Sequence, residues 1–186
     1  MRKNFGPKAW LYPQPVLIVG TYDENGVPNA MNAAWGGHSD YNEIFMDLAH
    51  SHKTVANIKQ TGAFTVSIAD APHVLEADYV GIVSANNVPD KLAKVGMTTV
   101  KSEFVNAPVI EMFPITFECK LKKITEDGVF GEILNVNVDE RVLDADGNID
   151  VKKLQAIVYD GANRQYVVLG DPVGNAFADG KKLIKE

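Results

Sequence analysis

Two hydroxyls and a lysine, Ser51, Lys53 and Thr54, stand beside His52 where a helix is expected to begin. An apolar strand pattern over 44–49 runs into them. A short helix pattern follows over 55–60, Gly62 stops it, and a second strand pattern covers 64–69. The first turn of a helix carries unpaired N–H groups and the positive end of the dipole, which suits a phosphate. Lys53 would add a point charge and the hydroxyls directional hydrogen bonds. The same residues also suit a plain helix start, with Ser51 as its cap and Lys53 in solvent. The segment alone leaves those two readings even.

A second candidate is Asn29 to Gly37, NAMNAAWGG. Small side chains at Ala33, Ala34, Gly36 and Gly37 would let a flat ligand lie against the backbone. Asn32 can donate and accept, and Trp35 can stack on a ring or wall a pocket. Taken by itself, a strand end turning into a glycine-rich loop, with Trp35 in the core, explains the segment better.

Other motifs carry less. His38, His50, His52 and His73 form no metal-ligand spacing. The segment 144–150, DADGNID, fails the EF-hand pattern, since Ile149 and Gln155 stand where Gly and Glu belong. It reads as an acidic turn before a helix. Cys119 alternates with Phe117 and Leu121 and is expected inside the core, without a partner thiol. Neither a Gly-x-Ser-x-Gly elbow nor a GxGxxG fingerprint is present.

The elements expected to position these groups are mostly strands. The 186 residues fit one domain over 1–186, with net charge −6 and no basic stripe, which argues against nucleic acid. No apolar run is long enough for a bilayer, and the first residues lack a signal-peptide h-region, so the cytoplasm is the default expectation. A buried strand over 16–21, an Asn-Gly turn at 23–26 with positive φ angles, and a return strand over 27–34 form a hairpin. Short helices are expected over 72–79, with Val74, Leu75 and Tyr79 on one side, over 90–95, and over 151–156. Alternating strands over 115–122 and 130–138 flank a turn at 126–128, and a last strand covers 166–169. About seven strands with a few short helices predict a mainly β, antiparallel barrel.

In that order the pieces resemble the flavin reductase-like family of FMN-binding split β-barrels, with Greek-key connections, and within it the flavoredoxins. The matching pieces are Pro15 to Val19 with Asp23 to Gly26, Asn29-Ala30 through Trp35, Ser51 to Thr54 with Asn57-Ile58, and Thr61 to Phe64 with Val66-Ser67. Asp90-Lys91-Leu92, Val95-Gly96-Met97, Ala107 to Glu111 and Glu118-Cys119 follow, so the match runs from about 13 to 143.

The resemblance implies a homodimer that binds FMN non-covalently. It places the phosphate on Ser51, His52, Lys53 and Thr54, the isoalloxazine along Met31, Asn32, Ala33, Ala34 and Trp35, and the ribityl chain at Leu48 and Ala49. Tyr166 or Arg164 of a second subunit would close the site. Many relatives carry Pro-Pro where Tyr41-Asn42 stands here, which implies a different loop over the flavin. The implied activity is passage of reducing equivalents from NAD(P)H or a protein donor, through FMN, to a flavin, iron(III) or another acceptor. Two rivals remain: an FMN carrier without a nicotinamide site, and a split barrel without flavin.

Overall fold

The computed structural model describes residues 1–184. In chain order its elements are β1 (Gln14–Pro15), β2 (Leu17–Tyr22), β3 (Pro28–Ala33), β4 (Gly36–Asp40), β5 (Glu43–Met46), α1 (Lys53–Thr61), β6 (Ala63–Ile68), α2 (Val74–Ile82), α3 (Lys91–Lys94), β7 (Thr99–Lys101), β8 (Pro108–Ile110), β9 (Ile115–Thr125), β10 (Gly128–Val138), α4 (Val151–Leu154), β11 (Ile157–Asp160) and β12 (Gln165–Val168). A curled seven-stranded antiparallel sheet runs in the order β3-β2-β6-β9-β10-β5-β4, and β1-β11-β12 forms a second, smaller sheet. The mainly β split barrel with four short helices is therefore the observed fold.

The apolar run at 16–19 has a tertiary explanation. Leu17 and Val19 face the inside of the curled sheet with Met46, Phe64, Val66, Cys119 and Val129. Val16 and Ile18 face the other way, against Ala77 and Val80 of α2 and Ile157 of β11. A strand buried on both faces reads as continuous hydrophobicity rather than alternation. The long β9–β10 hairpin forms as expected, but its burial does not follow the expected alternation: Thr116 and Glu118 are buried beside Ile115 and Cys119, while Leu134 and Val136 are exposed, and the pairing has two irregularities, between Phe130 and Gly131 and between Ile133 and Asn135. A Cβ at Gly131 would lie 2.3 Å from Phe64 Cζ, so a glycine there lets the Phe64 ring fill the barrel.

Several expectations shift. Gly36–Asp40 is not a loop; it is strand β4, paired with β5. In the 23–26 turn only Gly26 takes positive φ (76°), and Asp23 Oδ1 organises the loop by accepting from Asn25 N and Val27 N, both at 2.9 Å. On α2 Ala77 and Val80 are buried and Val74 and Tyr79 pack partly buried beside them as expected, while Leu75 is exposed; a 3-10 turn over Ala71–His73 precedes the helix. The strands β1, β7, β8 and β11 carry too little periodicity in their own residues to announce themselves. Cys119 is in the core as expected, where burial, reinforced by the Glu118 charge, pushes its thiol up to about 12. In the 144–150 turn, the Asp144 carboxylate accepts from Asp146 N and Asn148 N at 2.9 and 2.8 Å, so it folds its own loop. No helix among the described residues is long and apolar enough to cross a membrane.

Candidate functional site

Strand β3, the start of α1 and the far end of α2 enclose two adjoining cavities. The larger, about 540 Å³, runs along Met31, Asn32, Ala33, Ala34 and Trp35, with Leu48, His52 and Tyr166 on its other walls. The smaller, about 210 Å³, is lined by Asn29, Lys53, Thr54, Ser84 and Lys91. Both share Met31, Asn32, His52, Gly81 and Ile82, so one elongated ligand can occupy both. A volume of this size is ordinary for a cofactor site.

Local structure explains the placement. Helix α1 begins at Lys53 with His52 as its cap residue, and no side chain caps it. Its first N–H groups therefore stay open for an external acceptor. Val55 and Ile58 bury fully in the barrel core, and Gly62 ends the helix at φ 68°, a conformation favoured by glycine. Thr54 is buried, and its Oγ1 accepts from Asn29 Nδ2 at 3.1 Å. Asn29 Oδ1 is the one buried side-chain polar atom among the described residues without a partner. An amide flip would turn the Asn29 NH₂ into that vacancy, with the Thr54 hydroxyl donating to the carbonyl.

Of the residues expected from sequence, Met31 to Trp35, Leu48, His52, Lys53 and Thr54 come together here. Trp35 is not in the core; half exposed, it forms a lip of the larger cavity. Ala49 and Ser51 are exposed in the turn before α1 and line neither cavity. Ser51 also does not cap the helix, because the cap position is one residue later. Tyr41-Asn42 forms the β4–β5 turn and faces an outer groove beside Phe117 and Leu134, not these cavities. Arg164 sits exposed in the β11–β12 turn, and Tyr166 stands in the cavity of its own chain.

Three groups were missed. Lys91 is buried and donates from Nζ to Val80 O (3.1 Å) and Val83 O (2.7 Å) at the C-terminal end of α2. Burial pulls this amine down to about 8. It lay inside the Asp90-Lys91-Leu92 piece, but no local pattern shows that a lysine turns inward. Asp78 accepts from the Tyr166 hydroxyl at 2.7 Å; burial and then that bond hold the phenol above its ordinary value, so it stays protonated. At Gly81 an added Cβ would lie 2.9 Å from Asn32 Cβ. The missing side chain lets α2 close on β3, and Asn32 Nδ2 donates to Ala77 O at 3.0 Å.

The flavin reductase like domain model matches residues 10–165. The chain belongs to the flavin reductase-like family. Flavoredoxin of Desulfovibrio vulgaris (Miyazaki F) superposes with a TM-score of 0.92 at 38% identity, over 97% of this chain and 100% of that one. Flavoredoxin from Methanosarcina acetivorans gives 0.88 at 25% identity, over 99% of this chain and 100% of that one. A protein of Methanothermobacter thermautotrophicus is 28% identical over 200 residues, covering 96% of this chain and 92% of its own.

Proposed function

We propose that the protein is an FMN-dependent oxidoreductase of the flavin reductase and flavoredoxin type, working as a homodimer. It would move reducing equivalents from NAD(P)H or a protein donor to a flavin, ferric or other acceptor. The observation that carries this reading is the junction of a long slot with a cationic pocket. The slot along 31–35 has small side chains on one wall and an indole at its lip. The pocket holds two lysines, the open start of α1 and the Asn29 side chain, whose Oδ1 lacks a partner. A planar ring joined to a phosphate fits that pair of shapes and charges.

FMN supplies hydride or electron transfer itself, and the protein sets its orientation, potential and access. Lys53 and Lys91 would hold the phosphate from opposite walls, with Thr54, Asn29 and the α1 N–H groups giving it direction. The β3 backbone and Trp35 would position the ring. Protonated Tyr166 gives its one O–H proton to Asp78, so at the slot its oxygen would offer lone pairs as an acceptor.

A second reading, an electron carrier without a nicotinamide site, is favoured by the similarity to flavoredoxins. The first test is the visible spectrum after mixing with excess FMN and desalting. Retention near one FMN per chain supports both readings, and a colourless protein removes both. Anaerobic mixing of the loaded protein with NADH and with NADPH then separates them: bleaching of the flavin band supports the enzyme, and a flavin that stays oxidised supports the carrier.

A further inference from the structure

The two adjoining cavities carry opposite charge. The smaller is lined by Lys53 and Lys91 and by no carboxylate. The larger is lined by Asp47 and Asp78 and by no lysine or arginine. None of these four groups takes part in an ion pair among the described residues. Charges of one sign along a cavity with low-dielectric walls focus their field on whatever enters it. A flavin phosphate answers the lysines. Nothing in an uncharged flavin ring answers the carboxylates.

The walls around those carboxylates are aromatic and apolar. Trp35 and Ile82 form lips of the larger cavity, exposed by 50% and 74%. Tyr159 and Tyr166 line it further in, with ring centroids 6.1 Å apart and planes at 56°. Aromatic faces attract cations through the ring quadrupole, tryptophan most strongly, and aromatic cages recognise quaternary nitrogen in this way. Both carboxylates are held in place. The Asp47 N–H donates to Trp35 O at 2.8 Å, which ties this acid to the indole beside it. Asp78 accepts from the Tyr166 hydroxyl through Oδ1, and Asn32 Nδ2 anchors the preceding Ala77 O to β3.

We propose that the larger cavity binds a planar organic cation of the pyridinium class beside the flavin ring, held by Asp47, Asp78 and the aromatic walls. The proposal rests on the flavin reading for that ring and adds the charge class of the molecule that meets it. A dihydronicotinamide ring is uncharged. When its C4–H bond breaks, the hydride leaves for the flavin with both bonding electrons, and the ring becomes a pyridinium cation. The cavity therefore holds the oxidised ring more tightly than the reduced one.

The test uses 1-methylnicotinamide, a cation, and nicotinamide, its uncharged counterpart. The chain has two tryptophans, so in a Trp10→Phe background Trp35 at the cavity lip is the sole indole reporter. Its quenching is titrated with each probe, on the ligand-free chain and on the FMN-loaded one. The cation should bind at least about fivefold more tightly than the neutral probe in both. In about 1 M salt, where the screening length is about 3 Å, the preference should fall below about twofold. The Asp47→Asn, Asp78→Asn double variant should lose it too. Asparagine keeps an acceptor for Tyr166, and Asp47→Asn alone, which leaves that bond untouched, should lower the preference in part. Glu103→Gln with Asp146→Asn removes the same two charges from exposed sites that line neither cavity, and should leave the preference intact. Equal binding of the two probes, a preference that survives in the double variant, or one that vanishes on loading with FMN overturns the proposal. The ligand-free titration needs no flavin, so it decides the charge preference even for a chain that retains no FMN.

Discussion

Lys91→Met tests the site most sharply, because this amine was invisible in the sequence and defines one wall of the smaller cavity. The substitution keeps an unbranched side chain of similar length and removes the charge. It leaves Val80 O and Val83 O without the donor that now sits 3.1 and 2.7 Å away. A hydrogen bond to a charged group contributes about 1.5–3 kcal/mol. The dissociation constant for FMN should then rise about 10- to 150-fold. Riboflavin lacks the phosphate and should lose less than about threefold if the amine acts on that group.

The assay is quenching of flavin fluorescence, titrated with both ligands against both proteins. A pH series adds a second, independent arm. The amine titrates at about 8 in the free chain, whereas a phosphate monoester finishes its second ionisation near 6. Between pH 8 and 10 the parent must take up a proton to bind FMN, so its affinity should fall by up to about tenfold per pH unit. The variant should lack this component. Linkage also fixes the sign for folding. The folded amine titrates at about 8 and its ordinary value is 10.5, so between those values the unfolded chain binds more protons. The ligand-free parent should gain stability with rising pH in that window, and Lys91→Met should not. Equal losses for FMN and riboflavin, or a parent whose FMN affinity is flat from pH 7 to 10, would refute the assignment of Lys91 to the phosphate.

Lys53→Ala should weaken FMN by about 1–3 kcal/mol while riboflavin binding changes little, and unchanged FMN affinity would remove Lys53 from the site. Gly81→Ala places a Cβ 2.9 Å from Asn32 Cβ. Helix propensity returns about 1 kcal/mol while the overlap costs about 1–3, so the melting temperature should move little and FMN affinity should fall as α2 is pushed from β3. A variant that binds FMN as the parent does would show that this close approach is dispensable. The Asp160 carboxylate, hydrogen-bonded by Tyr12, Asn163 and Gln165, is held well below the usual carboxylate range. Its contribution to stability is present above the ordinary value near 4 and is lost as pH falls toward the folded value. Thermal melts from pH 2.5 to 6 should therefore be less acid-sensitive in Asp160→Asn, and parallel curves would contradict this.

Much of the barrel was legible in the chain because its signals are local. The two runs at 115–122 and 130–138 with a turn between them announced a hairpin, although Thr116 and Glu118 bury and Leu134 and Val136 do not, and the unbroken apolar run at 16–19 follows from a strand buried on both faces. The Ser51 to Thr54 segment announced an anion-suited helix start for the same reason: open N–H groups at a helix end depend only on the helix. The order of short motifs identified the family, and residues 10–165 match its model.

What the chain could not announce depends on contacts between distant segments. Strand β4 exists because β5 supplies its partners, and its own sequence, GGHSD, reads as a loop. Lys91 is buried because α2 ends beside it and presents two carbonyls, a fact set by packing and not by the residues around Lys91. Tyr166 meets Asp78 across 88 residues of chain. On α2 Val74 and Tyr79 pack against the core as expected, but Leu75 is exposed and Ala77 and Val80 bury instead, a choice set by what the helix packs against. Periodicity reports which side of an element is apolar. Only the assembled fold decides which element stands opposite, and therefore how a lysine, a phenol and a half-satisfied amide come to line two adjoining cavities.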